Sequence, residues 1–544
     1  MRGGSRSIRR VVSAPTSGPR ALLVTEGTYP FIVGGVSTWC DILVRGLADV
    51  DWRVLPVTAG GVLRESLFEF PDNVRLAGHI DLWSEVLHPW HVPRRRDRFD
   101  LAATLLDGLL RWSPGPLGRD GALVHALVWC RQNPGRVKAI FRSRTGWALF
   151  VERLRTVLEE PDAEGGRNPD LDFVDTGELY RTLYWIARTA ATPTPTGDHA
   201  PHVLLVTAAG WAAIPGVVHR AIHGTPLVLT EHGVYVREAY LAAIRSDAPA
   251  SSRWMSTRLA RGLARLAYAN ADVVAPVTHA NAAWETALGV ETERIRPIYN
   301  GVLVPIQITE PPARQPPTVV SIGRLDGLKD IKTMLRTAEA VLREVPHARF
   351  RHFGPVPVGQ ENYERECRAL HRELELGDRF VFAGETADPY RELEQADVAL
   401  LTSISEGFPI SVLEAMACAR PVVATAVGGV REAVVGCGFT APPGDVSALA
   451  AGVVTLLCDP GLARLLGRRG HARAARHFGQ SACLANYAAL LSELSGCRVE
   501  VPELPDEPAL GEVTVDDLAR AQAALERHDS TSTDWAARLR ELDR

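Results

Sequence analysis

The sequence has no run of about 18 apolar residues, the length a membrane-crossing helix needs, so no spanning helix is expected. Its first 20 residues are rich in Arg and Ser and lack the apolar centre of a secretory signal. A disordered leader over residues 1–19 is the expectation. Cysteine is sparse: eight residues lie far apart with no C-x-x-C pair, which argues against a zinc site or a small disulfide scaffold and suits a reducing cytoplasm. Charge of one sign is lacking too. With 60 Lys plus Arg, 64 Asp plus Glu and a net charge of -4, no broad basic field exists to hold nucleic acid. Any anion-binding site must be local.

What is present is length and apolar content. The 544 residues, 46% hydrophobic, can bury more than one core. A short apolar run at 21–25 leads into Gly34-Gly35 and an amphipathic stretch from Val36 to Leu47, which reads as strand, loop, helix. Apolar runs return at 203–206, 227–230 and 272–277 with helical stretches between them, the signature of a parallel sheet covered on both faces. Residues 20–300 therefore form one α/β domain, with a helical insertion over about 60–200. A linker at 301–317 precedes a second α/β domain over 318–495, with strands at 318–322, 348–353, 379–382, 397–401 and 421–424 and closing helices over 445–495. The acidic tail at 496–544 is expected to be weakly ordered, with one helix around Val515 to Leu525.

Chemistry concentrates in a few segments. Glu406-Gly407-Phe408-Pro409 follows a strand, and Glu414 lies on the helix behind it. Pro409 suits the first helical position, so the backbone N–H groups of Gly407 and Phe408 can face an anion. An ionised glutamate only accepts hydrogen bonds and a vicinal diol offers two donors, so the two carboxylates suit a sugar nucleotide. Arg324 and Lys329 lie beyond the strand at 318–322, where α/β sheets bind phosphates, and two cations there can neutralise a diphosphate leaving group without Mg²⁺. Gly34 and Gly35 would let the backbone approach a phosphate closely. Glu231-His232 and Arg237 follow the strand at 227–230: His232 is a candidate beside the reacting sugar, and Glu231 and Arg237 are candidates for acceptor or phosphate contact.

The stretch EGFPISVLEAMACARPVVATAVGG resembles the E-x7-E signature of glycosyltransferase family 4. The resemblance implies a GT-B fold, two Rossmann-like doubly wound domains facing across a cleft, and a retaining transferase. Carried over, Glu414 would hold the ribose hydroxyls, Glu406 would sit beside the transferred sugar, and Arg324 and Lys329 would grip the pyrophosphate. TEGTYPFIVGGVSTW, LTEHGVYVRE and IGRLDGLKDIKT look most like the PelF-type branch, which makes an exopolysaccharide. That likeness implies a UDP-sugar donor, a glycan acceptor, no metal or other cofactor, and a place in the cytoplasm at a membrane-bound synthesis and export complex.

Two D-x-D stretches, Asp49-Val50-Asp51 and Asp170-Leu171-Asp172, imitate metal motifs but lie away from the expected phosphate site. A retaining phosphorylase, a nucleotide-sugar epimerase and a catalytically silent sugar-nucleotide scaffold remain alternatives, since fold does not fix reaction.

Overall fold

The computed structural model describes residues 18–32, 34–60, 65–83, 100–111, 121–160, 168–305 and 316–501. Most of the leader, most of the linker and the expected helix at 515–525 lie outside these residues.

The first domain carries strands β1 (Arg20–Glu26), β2 (Asp51–Thr58), β3 (Val74–Leu76), β4 (Ile80–Asp81), β5 (Val203–Val206), β6 (Leu227–Glu231) and β7 (Val273–Pro276). They form one parallel sheet in the order β3-β2-β1-β5-β6-β7, with β4 pairing beside the end of β2. The second domain carries β8 (Thr318–Ile322), β9 (Arg349–Phe353), β10 (Phe380–Gly384), β11 (Val398–Leu401), β12 (Val422–Thr425) and β13 (Gly438–Ala441), in the order β10-β9-β8-β11-β12-β13. Setting β4 aside, both sheets have the doubly wound order in which the chain starts in the middle, winds one way and then returns to wind the other. Each therefore has a switch point, β1/β5 in the first and β8/β11 in the second, where loops diverge and leave a crevice.

Strands such as β5 and β11 are buried at every position, as unbroken apolar runs between two helical layers must be. One layer of the first domain is the insertion: α2 (Leu101–Leu110), α3 (Gly121–Gln132), α4 (Pro134–Phe141), α5 (Arg144–Glu159) and α6 (Phe173–Ala191). Their Leu105, Leu127, Phe150 and Tyr184 share a core with Leu22, Val24, Leu204 and Val206 of the sheet. The insertion is shorter than the expected 60–200, because β3 and β4 inside that range continue the sheet. Their two or three residues carry too little apolar alternation to be read as strands.

The remaining helices are α7 (Ala213–His223), α8 (Tyr235–Arg245), α9 (Ala250–Asn270) and α10 (His279–Ala287), then α11 (Ile331–Glu344), α12 (Glu361–Glu373), α13 (Pro389–Glu394), α14 (Ile410–Ala417), α15 (Val430–Val434), α16 (Val446–Cys458), α17 (Pro460–Arg473) and α18 (Gln480–Ser495). The expected closing helices over 445–495 place α18 in the second domain. The structure instead returns it to the first, where Cys483, Leu484, Tyr487 and Leu491 pack with Trp39, Leu43 and Val228. Tyr487 also shares a hydrogen bond of 3.1 Å with Thr230. Apolar pattern places a helix on some core but does not say which of two.

Among the described residues the domains are thus joined near Val302 and near Phe478, and these segments run side by side: Val302 N–H donates to the Phe478 carbonyl and Gln480 N–H to the Val302 carbonyl. Tyr299, Phe408 and Phe478 pack around them with ring centroids 5.1–5.3 Å apart. Among the described residues no single helix is long and apolar enough to cross a membrane.

Candidate active site

The second domain's crevice at β8/β11 is built from two loops. After β8, the buried Asp326 carboxylate accepts the N–H groups of Leu328 and Lys329 through Oδ1, both at 3.0 Å, and the Arg324 Nε–H through Oδ2 at 2.9 Å. This is an Asp folding its own turn, and it fixes where both cations go. The Arg324 side chain stays 60% exposed, leaving its outer N–H groups to the crevice. After β11, Ser403 Oγ–H donates to Glu406 Oε1 at 2.5 Å, and Lys329 Nζ reaches the same oxygen at 2.6 Å. Only 18% of the Lys329 side chain and 11% of that of Glu406 are exposed, so solvent screens this pair little. An ammonium has three donors, so Lys329 can hold Glu406 and still offer N–H groups to a phosphate.

Glycine makes this loop possible. Gly428 has φ 51°, and a Cβ there would lie 1.9 Å from the Glu406 carbonyl; a Cβ at Gly429 would lie 2.7 Å from the Phe408 ring. Gly429 N–H donates to the Gly407 carbonyl, strapping the two turns together. Helix α14 starts at Ile410 with Pro409 as its N-cap, one residue later than the sequence reading placed it. Phe408 and Pro409 are buried, and the Phe408 ring lies in the Tyr299–Phe478 cluster, so their side chains serve the core and a donor contact by this turn falls to its backbone. Glu414, half-buried on α14, is pushed up to about 7 by burial.

The first domain meets this loop directly. A Cβ on Gly407 would fall 1.7 Å from the His232 carbonyl, and Arg237 Nη2–H donates to the Glu406 carbonyl at 2.9 Å. The His232 ring packs edge-on against Trp39, its Nε2 is buried without a partner among the described residues, and burial holds its pKa down to about 4. It is a neutral imidazole at pH 7. Gly34 and Gly35 are exposed at the start of α1 (Gly35–Gly46), with Gly35 facing Ile410 of α14 across the domain boundary. Arg324, Lys329, Glu406, His232, Arg237 and the glycine pair are thus gathered about one boundary.

Glu231 is a correction. Its side chain is wholly buried at the end of β6, accepting the Tyr235 N–H at 2.9 Å and the Tyr268 O–H at 2.7 Å, so it cannot touch a phosphate or an acceptor. Burial raises its pKa, and beside the equally buried Glu285 it shares a proton that one of the two must keep. Its work is to shape the His232 loop from beneath. The D-x-D stretches also have other duties: Asp51 pairs with Arg53, and Asp172 caps α6.

Two further residues, Asp326 and Glu238, shape the site. Asp326 orients both cations, and an Asp followed by a turn of Gly and Leu before a helix was the available signal. Glu238 leans back over Gly233, where a Cβ would meet its Oε1 at 1.9 Å, and its carboxyl faces Arg237, Glu406 and Arg324.

A family model described as "Domain of unknown function (DUF3492)" matches residues 19–293, and one described as "Glycosyl transferases group 1" matches residues 316–459. The D-inositol 3-phosphate glycosyltransferase of Kineococcus radiotolerans is 38% identical over 180 residues, 30% of this chain and 40% of that protein. A glycogen synthase of Mycobacterium tuberculosis is 29% identical over 197 residues, 36% of this chain and 47% of that protein. The chain spans less than half the length of these curated relatives. Among solved structures, the sucrose-phosphate synthase from Thermosynechococcus elongatus has a TM-score of 0.56 at 19% identity, over 88% of this chain and 99% of that one. Anabaena Alr3699/HepE in complex with UDP and glucose has a TM-score of 0.53 at 17% identity, over 87% and 99%. These likenesses show the shared two-domain GT-B fold.

Proposed function

We propose, because the chain belongs to the DUF3492 family and joins that domain to a glycosyl transferases group 1 domain, that it is a retaining, metal-independent transferase moving a hexose, glucose in our reading, from a UDP-sugar to a glycan acceptor. The observation that carries this reading is the convergence of Arg324, Lys329 and Glu406 at the β8/β11 switch point, against the His232 loop. Arg324 and Lys329 neutralise the charge that develops on the departing diphosphate, the task a metal performs elsewhere. Glu406 accepts hydroxyl donors of the transferred sugar while Lys329 and Ser403 fix its orientation. Glu414 takes the ribose diol, and the glycine pair closes over the phosphates.

Neutral His232 can hydrogen-bond a sugar hydroxyl but adds no charge, so the cationic work falls to Arg324, Lys329 and Arg237. In this reading the acceptor hydroxyl attacks on the face from which the diphosphate leaves, and a leaving phosphate oxygen takes its proton. The protein contributes position and electrostatics. The UDP bound in the Anabaena neighbour supports the nucleotide assignment. The motifs around Gly34, His232 and Arg324 support the PelF-type branch, and with it an exopolysaccharide product and a cytoplasmic place at a membrane-bound complex.

The test incubates purified protein with UDP-, GDP- and ADP-sugars, with and without chelator, beside the Glu414→Ala variant. Chelator-resistant UDP release from one sugar, lost in the variant, is the expected result. Release restored only by Mg²⁺ would overturn metal independence, and tight UDP binding without release under any condition would favour the silent scaffold.

A further inference from the structure

The other switch point, β1/β5, carries a cluster that the donor chemistry leaves unused. Trp83 follows β4, Trp211 lies in the loop after β5, and Trp185 comes from insertion helix α6. Trp83 packs edge-on against Trp185 with ring centroids 4.0 Å apart and lies 6.1 Å from Trp211, yet 40% of Trp83 remains exposed. Exposed tryptophan is costly, and three together at the crevice end of a sheet are not needed to close a core that already holds Trp185 and Trp211 at its margin.

The cluster is held rigid by polar ties. The Asp81 carboxylate accepts the Trp83 N–H at 3.2 Å, and Arg188 of α6 donates to the Asp81 carbonyl at 3.2 Å. The half-buried Glu26 carboxyl, at the end of β1, accepts the Ala212 N–H at 3.0 Å and meets the Tyr235 hydroxyl. Tyr235 opens α8, three residues after His232, so the tryptophans are mechanically continuous with the proposed reaction centre.

We propose that Trp83, Trp185 and Trp211 form a stacking platform for a pyranose oligosaccharide, the growing end of the acceptor. The inference rests on the transferase reading and adds the acceptor's chemical class. One face of a pyranose is a sheet of C–H groups, which matches the negative face of an indole, while its edge hydroxyls need polar partners at the margin, where Asp81 lies beside Trp83. The insertion thereby gains a function: α6 supplies part of the acceptor floor.

The test is calorimetric titration of the full chain with cellohexaose, maltohexaose and chitohexaose, and separately with UDP. At least one hexasaccharide should bind. Trp83→Ala and Trp211→Ala should each weaken it about tenfold, the size seen when one aromatic stacking partner is lost, and Trp83→Phe should retain most of the affinity. UDP affinity, read on the same preparations, reports on the fold and the donor site. If none of the three binds, or if binding ignores both tryptophan changes, the platform is wrong. If UDP fails to bind while a hexasaccharide binds through Trp83, the donor reading fails and the platform stands.

Discussion

Lys329 Nζ lies 2.6 Å from Glu406 Oε1, so the loops after the two strands flanking the second switch point are joined by a poorly screened ion pair. A cation fixed in this way is already oriented before any phosphate arrives, which is the condition for strong electrostatic stabilisation of a leaving group. Lys329→Ala should lower turnover by a factor of about 100 or more, the usual cost of losing one such contact. Lys329→Arg should rescue little, because a planar fork on a longer stem does not replace a compact ammonium. Steady-state rates alongside thermal melts check this; near-normal turnover by a folded Lys329→Ala protein would remove Lys329 from the mechanism.

Glu414 predicts a conflict between stability and binding. Burial raises its pKa to about 7 from an ordinary 4.5, so the folded protein binds a proton that the unfolded chain releases. The sign follows: stability is fully present in acid and is lost as pH rises through about 7. Glu414→Gln should therefore be more stable than the parent at pH 8 by about 1–2 kcal/mol and indistinguishable at pH 4. Binding should go the other way. A ribose diol prefers the ionised carboxylate, so affinity for UDP-glucose, whose diphosphate does not titrate here, should rise between pH 6 and 8 in the parent and stay flat and weaker in Glu414→Gln. Melts and titrations at both pH values test the pair; a parallel pH response in the two proteins would contradict it.

Much of this was legible in the sequence because parallel sheets bury unbroken apolar runs and because glycine and proline mark their turns. The strand at 318–322 was read with the bounds it has in the structure. What escaped was whatever depends on a partner distant in the chain. Strand β2 mixes Asp51, Arg53 and Pro56 into its run and is recognisable only beside β1. Helix α18 declares its apolar face but not the sheet that receives it. Glu231 and Glu406 look alike as acids after strands, yet one is sealed beneath Tyr268 and the other meets Lys329 at the crevice. Sequence pattern gives the strand end, and packing decides which way the side chain turns.

Glu432 of the second domain caps a helix of the first. Its carboxylate accepts the N–H groups of His279 at 3.0 Å and Ala280 at 2.6 Å, at the start of α10, and the Tyr299 hydroxyl at 3.2 Å. This latch lies beside the paired crossings at Val302 and Phe478, so it should set the resting domain angle. Glu432→Ala should cost about 1 kcal/mol, the value of a lost helix cap, and raise the radius of gyration of the unliganded protein. Addition of UDP-glucose should bring the radius back toward that of the parent. Solution scattering reads both states; an unchanged radius without ligand would show that the crossings alone fix the angle.

Asp326 offers the sharpest separation of position from charge. Oδ1 takes two backbone N–H groups and Oδ2 takes the Arg324 Nε–H, so the two oxygens hold different parts of the site. In Asp326→Asn the remaining oxygen can keep the turn at Leu328 and Lys329, but the new NH₂ group faces the Arg324 donor and releases it. That variant should lose about tenfold in rate with Lys329 still in place, in keeping with the loss of one charge-assisted hydrogen bond. Asp326→Ala removes both anchors and should resemble Lys329→Ala. Because the aspartate acts through the lysine, the double variant Asp326→Ala with Lys329→Ala should be scarcely worse than either alone, a non-additivity that residues sharing one network show. Additive losses in the double-mutant cycle would mean that Asp326 touches the donor itself, and its place would then be among the groups that meet the diphosphate.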